Sequence, residues 1–268
     1  MLMVSSHKCH FRRNAVCSVV AALAAVVVSG CSEMPDLEVS RKFQEAEDLF
    51  VKAESPKEFQ RVASLHQEIL DGGFESGVVF YNQGNAWMQA ARTGRAIASY
   101  RQAQRHLPRD PYLKANLENA LQASGQSEMR TIPILDHIFF WQNRLSCQEK
   151  MLLATVLLGT VLLLALVVRP VDGHRLIRRI NAIICVCLVL LAASIARDWR
   201  NQQQTTHGVI VEEIVARKGG STTYEPAFRQ PLLNGTEFVV LDTRNDWHQI
   251  EIYDTATGWI PARSATTY

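Results

Sequence analysis

Two uncharged apolar runs, separated by a short Arg-rich loop, constrain this chain more than any other feature of its sequence. The runs read MLLATVLLGTVLLLALVV over 151–168 and INAIICVCLVLLAASIA over 180–196. Because a helix rises about 1.5 Å per residue, each run is long enough to cross the hydrocarbon core of a bilayer. Neither run has the polar face that a helix on a soluble core usually shows. We therefore predict a transmembrane helical hairpin, with a buried helical pair of a soluble protein as the disfavoured alternative.

The loop between the runs predicts the direction in which the hairpin crosses. Residues 169–179 carry four arginines and one acid, Asp172. Short loops rich in Lys and Arg stay in the cytoplasm, so both segments that flank the hairpin are expected on the outer face. Aromatic side chains settle at the headgroup level of a membrane. Such residues flank the runs at Phe139, Phe140, Trp141 and Trp199.

The amino terminus predicts export independently. A basic stretch with Lys8, Arg12 and Arg13 precedes an apolar stretch over 15–28, as in a secretory signal. The next residues read VSGC and resemble a bacterial lipobox, so residues 1–30 are predicted to be a signal peptide and Cys31 a candidate lipidation site. Ordinary cleavage and an uncleaved anchor are the alternatives, and all three place the chain after Cys31 outside.

The net charge and the positions of the cysteines argue against a nucleic-acid partner, a disulfide framework and a metal pair. The formal net charge of +2 at pH 7 is too small to indicate a nucleic-acid partner, and export makes one irrelevant. None of the six cysteines lies in a predicted soluble domain, so these domains are expected to fold without disulfides. Cys185 and Cys187 lie in the second apolar run without further ligands, so we interpret them as packing or lipid-facing residues rather than a metal pair.

Residues 37–123 predict a series of helices with short breaks, because apolar residues recur there at helical spacing. Ser55-Pro56 begins a helix as an N-cap followed by a first-turn proline. Gly72-Gly73 ends that helix. The next segment, 124–150, is predicted to be a linker with an interfacial stretch.

The strongest motif reads YNQGNAWMQAARTGRAIASYRQAQRHLP over 81–108. It resembles the tetratricopeptide repeat, with the best repeat over 78–111 and neighbouring helices that complete the array of 37–123. A single repeat needs such neighbours to bury its own face. Gln83 and Gly94 depart from the repeat pattern, and we expect weaker local packing at both. The matching positions are Tyr81, Asn82, Gly84, Asn85, Ala86, Trp87, Ala96, Tyr100, Ala103 and Pro108.

Two asparagines of this motif are candidate peptide-binding residues. The resemblance places Asn82 and Asn85 on the first helix of the repeat, which lines the concave side in this family. Asparagine amides often hold the backbone or carboxylate of a bound peptide there. The alternative, which the sequence favours, is that both are consensus residues of the repeat, since no Lys or Arg cluster accompanies them.

The carboxy-terminal segment changes from helical to strand periodicity. After a polar linker over 197–207, short β-branched and aromatic runs alternate with turn signals over 208–268. This pattern predicts four or five strands in a small all-β barrel. The segment resembles the bacterial SH3 domain. The residues that carry the resemblance are 215–219, 233–238, Asp246-Trp247, Ile250 and 258–260.

Bacterial SH3 domains often bind peptides, including wall peptides, and this resemblance makes three aromatic residues candidates. They are Tyr224, Trp247 and Trp259. The alternative is that both tryptophans belong to the core, because so small a barrel needs large side chains.

No motif for catalysis, metal binding or a cofactor emerges from the sequence. HExxH, GxSxG, the phosphate-binding Gly-Lys-Ser/Thr loop and GxGxxG are all missing. His248 has no apparent nucleophile partner. We therefore expect no enzyme, no catalytic residue, no resident metal and no cofactor.

The order of segments resembles the Bat E type protein of the aerotolerance operons. The resemblance implies a multidomain protein of the bacterial inner membrane: a helical repeat array, a transmembrane hairpin and an SH3-like barrel, with both soluble domains in the periplasm. It also implies membrane proteins with von Willebrand A domains and MoxR-type ATPases as partners. We predict a non-catalytic scaffold in an aerotolerance or envelope-stress complex. The alternatives are a peptidoglycan-binding module that recruits wall enzymes and, least favoured, an envelope hydrolase.

Overall fold

The structure is a computed structural model of the chain. It describes residues 37–126, 144–167, 175–204, 206–252 and 256–268. The predicted signal peptide and Cys31 lie outside the described residues, as do most of the predicted linker over 124–150 and part of the Arg-rich loop. The chain divides into two compact units. One comprises Pro35–Arg144 together with Asn201–Tyr268, and the other includes Leu145–Arg200.

Five helices form the part of the first unit that we call the helical array, residues 37–126. Each helix packs on the next in the chain, and loops of a few residues make consecutive helices antiparallel. The predicted start at Ser55 is confirmed, because Ser55 and Glu58 cap each other's backbone N–H groups. The helices are α1 (Leu37–Lys52), α2 (Pro56–Asp71), α3 (Gly77–Gln89), α4 (Thr93–His106) and α5 (Pro111–Ala123).

The closest crossing in the array is between α3 and α4. A Cβ atom at Gly84 would overlap the ring of Tyr100, so only glycine lets that ring lie flat against α3. Tyr100 and Ala96 are fully buried at this crossing, and Trp87 packs against the cores on both sides of α3. Gly84, one of the positions that carry the repeat resemblance, is therefore the small residue that this close crossing requires.

Gln83 does not weaken the packing of the array as expected. Its side chain is 4% exposed and lies among polar groups of two neighbouring helices. Its amide nitrogen donates to Gln67 Oε1 at 2.9 Å, and its amide oxygen accepts from Ser99 Oγ at 2.8 Å. The expectation was wrong because a buried amide with its hydrogen bonds satisfied joins α2, α3 and α4 instead of costing stability.

Two helices of the second unit are long and apolar enough to cross a membrane: α6 (Cys147–Val167) and α7 (Arg175–Gln204). Helix α6 begins before the predicted position 151, because Ser146 and Glu149 form a reciprocal cap. Helix α7 continues through most of the segment 197–207 for which the sequence predicts a linker. Lys150 Nζ lies 2.6 Å from Asp198 Oδ2 and joins the two helices.

The residues that we call the sheet region, 206–268, form an antiparallel sheet with strand order β4-β3-β2-β1-β5. The predicted number of strands is confirmed. The last strand pairs with the first, and Tyr268 N donates to His207 O at 2.8 Å. The strands are β1 (Thr206–Ile210), β2 (Glu237–Arg244), β3 (Trp247–Ile252), β4 (Ala256–Pro261) and β5 (Ala265–Thr267).

The helical array and the sheet region pack directly against each other. Helix α4 contacts β1 and β5, and Val209 of β1 is completely buried in the same hydrophobic cluster as Ile97 of α4. Arg101 forms a bidentate ion pair with Glu237, with Nε 2.7 Å from Oε1 and Nη2 2.9 Å from Oε2. We call this contact the array–sheet interface. It was not predicted from the sequence, in which the two parts are separate domains.

The interface also explains Gly94, the second departure from the repeat pattern. Its backbone N–H donates to Asn234 Oδ1 at 3.0 Å. A Cβ atom there would overlap both Asn234 Oδ1 and the carbonyl oxygen of Ile210. Weaker packing was therefore the wrong expectation, because glycine at this position lets the sheet region approach the start of α4.

Removing Arg101 tests the contribution of the interface to stability. We expect Arg101→Ala to lower the free energy of unfolding by about 1–3 kcal/mol, because the guanidinium is 8% exposed and bonds both carboxylate oxygens of Glu237. Urea unfolding of the detergent-solubilised full chain, followed by circular dichroism, measures the change. Arg41→Ala, on the exposed side of α1, is the matched control and should change little.

The double variant Arg101→Ala/Glu237→Ala separates the ion pair from other effects of truncation. If the pair stabilises the interface, the double variant loses less stability than the two single variants together. Strictly additive losses would contradict a stabilising pair.

Candidate functional site

The structure gives Asn82 and Asn85 hydrogen-bond partners within the helical array. Both side chains are half-buried on α3. Asn82 Nδ2 donates to Glu47 Oε1 at 2.7 Å. Asn85 Oδ1 accepts from Tyr100 Oη at 2.8 Å and from Asn116 Nδ2 at 2.9 Å. These amides therefore join α3 to α1, α4 and α5, and a role in peptide binding remains a prediction.

His66 lies near Asn82, beside the same carboxylate of Glu47. Its side chain is fully buried, and Nδ1 lies 3.0 Å from the carbonyl oxygen of Val62, so this nitrogen carries the proton and donates. Nε2 is 3.9 Å from Glu47 Oε1. Burial lowers the pKa of the His66 imidazole, although the bond to Val62 and the charge of Glu47 both oppose the shift.

The three candidate aromatic residues of the sheet region are brought together around one loop. A Cβ atom at Gly219 would lie 2.8 Å from the Tyr224 ring, and one at Gly220 would lie 3.5 Å from Trp259 and 3.7 Å from Trp247. The absence of a side chain at Gly219 therefore lets the Tyr224 ring lie against the backbone, whereas position 220 makes ordinary van der Waals contacts with the Trp259 ring and the Trp247 Cβ atom. We call Tyr224, Trp247 and Trp259 the aromatic cluster.

The members of the aromatic cluster differ in exposure. Tyr224 is 53% exposed, Trp247 is half-buried and Trp259 is 9% exposed. The backbone of Trp259 pairs with Arg217 in both directions, and the Arg244 guanidinium lies 5.5 Å from the Trp259 ring centre. Tyr224 and Trp247 therefore offer ring surface to a ligand, whereas Trp259 is largely buried and the Arg244 guanidinium near it is paired with Asp242 at 2.8 Å.

His248 has a hydroxyl neighbour that the sequence did not indicate. Its Nδ1 lies 2.9 Å from Thr243 Oγ1, because the two residues are paired across β2 and β3. This is a cross-strand polar pair of the ordinary kind. Among the residues that the structure describes, no three His, Cys, Asp or Glu side chains lie close enough to hold a metal ion.

Sequence reasoning missed the residues of the array–sheet interface. Arg101 and Glu237 are 136 positions apart, so no local pattern connects them. Glycine at position 94, where the repeat pattern has a bulky residue, is the signal that could have indicated a close neighbour.

Comparison of this chain with known protein families, curated proteins and solved structures finds no match. The resemblances to the repeat, SH3 and Bat E families therefore rest on the residues quoted for them. Function has to be argued from the surfaces of the molecule.

The buried imidazole predicts a pH dependence of stability. Because the pKa of His66 is lower in the folded chain than its ordinary ~6.5, the unfolded chain binds the proton more readily. The free energy of unfolding should therefore fall as the pH drops below ~6.5, and the contribution of His66 stops changing below its folded pKa. Burial lowers the pKa of His106 too, and it acts in the same direction.

Two variants test whether His66 causes this pH dependence of stability. His66→Asn keeps a donor for the Val62 carbonyl but does not titrate, so its stability should fall less between pH 8 and 5.5. Glu47→Gln removes the charge that favours protonated His66 and should make the fall steeper. Thermal unfolding of the full chain in detergent at a series of pH values gives both slopes. Equal slopes for wild type and His66→Asn would show that His66 is not responsible.

Proposed function

We propose that this protein is a non-catalytic scaffold of the bacterial inner membrane. In this proposal the helical array is a tetratricopeptide array, the sheet region is an SH3-like domain, and α6 and α7 are a transmembrane hairpin. Both soluble parts face the periplasm and bind other proteins of an aerotolerance or envelope-stress complex.

The array–sheet interface is the observation that carries the proposal. The array precedes α6 in the chain and the sheet region comes after α7, yet Arg101 and Glu237 pair across the interface. Two parts that pack together must lie on the same side of any membrane that the intervening chain crosses. Two crossings return the chain to the side from which it started, so the packing supports a hairpin.

The orientation of the hairpin rests on the sequence. The Arg-rich loop over 169–179 favours a cytoplasmic turn, and the signal-like amino terminus favours export of the chain beyond it. The two features are independent and favour the same arrangement.

A scaffold needs surfaces whose relative positions are fixed, and the interface supplies this. It holds the face of α3 with Asn82 and Asn85 and the aromatic cluster in one compact unit. Two partners bound to such a unit are kept at a high effective concentration without new contacts between them. By resemblance, the complex contains membrane proteins with von Willebrand A domains and a MoxR-type ATPase.

A second candidate function is peptidoglycan binding, and the exposed ring of Tyr224 favours it. An exposed aromatic side chain beside others, such as Trp247, provides a stacking surface for a wall peptide. In this case the sheet region holds the wall and the array recruits a wall enzyme.

The topology predicts which cysteines a membrane-impermeant reagent reaches. Cysteine introduced at exposed Asn119 of the array and at exposed Arg263 of the sheet region should both be labelled in spheroplasts. Cysteine introduced at Asp172 of the Arg-rich loop should be labelled only after the membrane is opened. The native cysteines are changed to serine beforehand. Labelling of only one of the two soluble positions in spheroplasts would contradict the hairpin.

Partner capture tests the scaffold itself. Cells that express the tagged full chain are crosslinked, the membranes are dissolved in detergent, and copurified proteins are identified by mass spectrometry. We expect a protein with a von Willebrand A domain or a MoxR-type ATPase. The variant Asn82→Ala/Asn85→Ala should lose a partner bound by α3, whereas Tyr224→Ala should lose one bound by the aromatic cluster.

Each variant is the matched control of the other, and melting curves check that both remain folded. An eluate that holds only wall fragments or wall enzymes would contradict the scaffold and support peptidoglycan binding. Equal capture by both variants and the wild type would place the contact elsewhere on the molecule.

A further inference from the structure

A small cavity lies where the helical array meets the sheet region. It has a volume of about 130 Å³ and is lined by Gln60, Trp87, Arg92, Arg95, Val211 and Glu212. Four of these residues belong to α2, α3 and the start of α4, and the other two come directly after β1. We call it the junction pocket. It is complete only because the array–sheet interface brings residues 211 and 212 to the array.

The junction pocket carries two exposed cations. The Arg95 guanidinium lies 4.9 Å from the centre of the Trp87 ring, which holds it by a cation–π contact and leaves its N–H groups available. Arg92 lies one turn away, at the N-cap of α4. Within the described parts of the chain, neither arginine forms an ion pair.

The net charge and the volume limit what can bind. Glu212 offsets one of the two arginines, so the lining carries one net positive charge, which suits a monoanion better than a phosphate dianion. Pockets for drug-sized ligands have volumes of roughly 300–1,000 Å³. A cavity of about 130 Å³ suits a single side chain or a chain end.

The remaining walls favour a peptide carboxylate. A guanidinium presents parallel N–H donors that match the two oxygens of a carboxylate. The exposed lining is mostly polar, as a carboxylate requires, and the Gln60 amide can bond a neighbouring peptide group. We propose that the junction pocket binds the carboxylate of a glutamate side chain or of a carboxyl terminus in a partner protein. This inference rests on the proposed scaffold function, for which it names the chemistry of one contact.

Selection from a peptide mixture tests the proposal directly. The detergent-solubilised full chain is immobilised and equilibrated with random heptapeptides, and the bound peptides are sequenced. We expect enrichment of glutamate or of a free carboxyl terminus. The best peptide is then labelled, and its Kd is measured by fluorescence anisotropy. Replacing its glutamate by glutamine, or its carboxyl terminus by an amide, should weaken binding at least tenfold.

Variants of the protein test whether the peptide binds in the junction pocket. Arg92→Gln/Arg95→Gln should weaken binding of the same peptide at least tenfold. The unfolding midpoint should fall only slightly, because both side chains are exposed and only the contact of Arg95 with Trp87 is lost. Arg41→Gln removes an exposed arginine from α1 and should leave the Kd unchanged. Binding should also weaken as salt is added, because the contact is ionic.

Three results would overturn the proposal: no enrichment of acidic peptides, equal affinity for wild type and Arg92→Gln/Arg95→Gln, or tighter binding when phosphoserine replaces the glutamate. If the proposed scaffold function is wrong but the junction pocket binds carboxylates, the outcome differs. Acidic peptides would then bind through both arginines, but crosslinked cells would yield no protein partner. Partners captured equally by wild type and by Arg92→Gln/Arg95→Gln would support the scaffold and overturn the pocket.

Discussion

The ion pair between Arg101 and Glu237 joins two parts of the chain that are separated in sequence by two membrane-length helices. The same interface buries Val209 of β1 against α4, and the Arg105 guanidinium lies 5.4 Å from the centre of the Tyr268 ring. A partly buried, bidentate ion pair adds geometric specificity to the apolar contact of the interface. The relative positions of the aromatic cluster and the asparagines of α3 depend on this interface, and so does the closure of the junction pocket.

Two positions that depart from the repeat pattern carry structural information. Gly94 leaves room for Asn234 and the Ile210 carbonyl, and Gln83 satisfies polar groups of two neighbouring helices. Both were expected to weaken the array, because each replaces a larger or more apolar residue of the repeat pattern. A departure from a repeat pattern can therefore mark the place where another part of the chain contacts the repeat.

The proposed scaffold and the proposed pocket depend on the same arrangement. The face of α3 with Asn82 and Asn85 belongs to the array alone, and the aromatic cluster belongs to the sheet region alone. The junction pocket draws on both, because Arg95 comes from α4 and Val211 comes just after β1. A partner that inserts a carboxylate there would contact both parts at once and would favour their packed state, since a ligand that binds one state stabilises it.

The sequence by itself determined the local elements. The apolar runs indicated two membrane-length helices, and Ser55-Pro56 indicated a helix start. The strand periodicity over 208–268 indicated four or five short strands. Each of these depends on side chains that are close in sequence. The tertiary structure alone decided the array–sheet interface, the hydrogen-bond partners of Asn82 and Asn85, and the junction pocket. Arg101 and Glu237, like Arg95 and Val211, are more than a hundred residues apart, and no local pattern encodes which of many distant charges and apolar faces will meet.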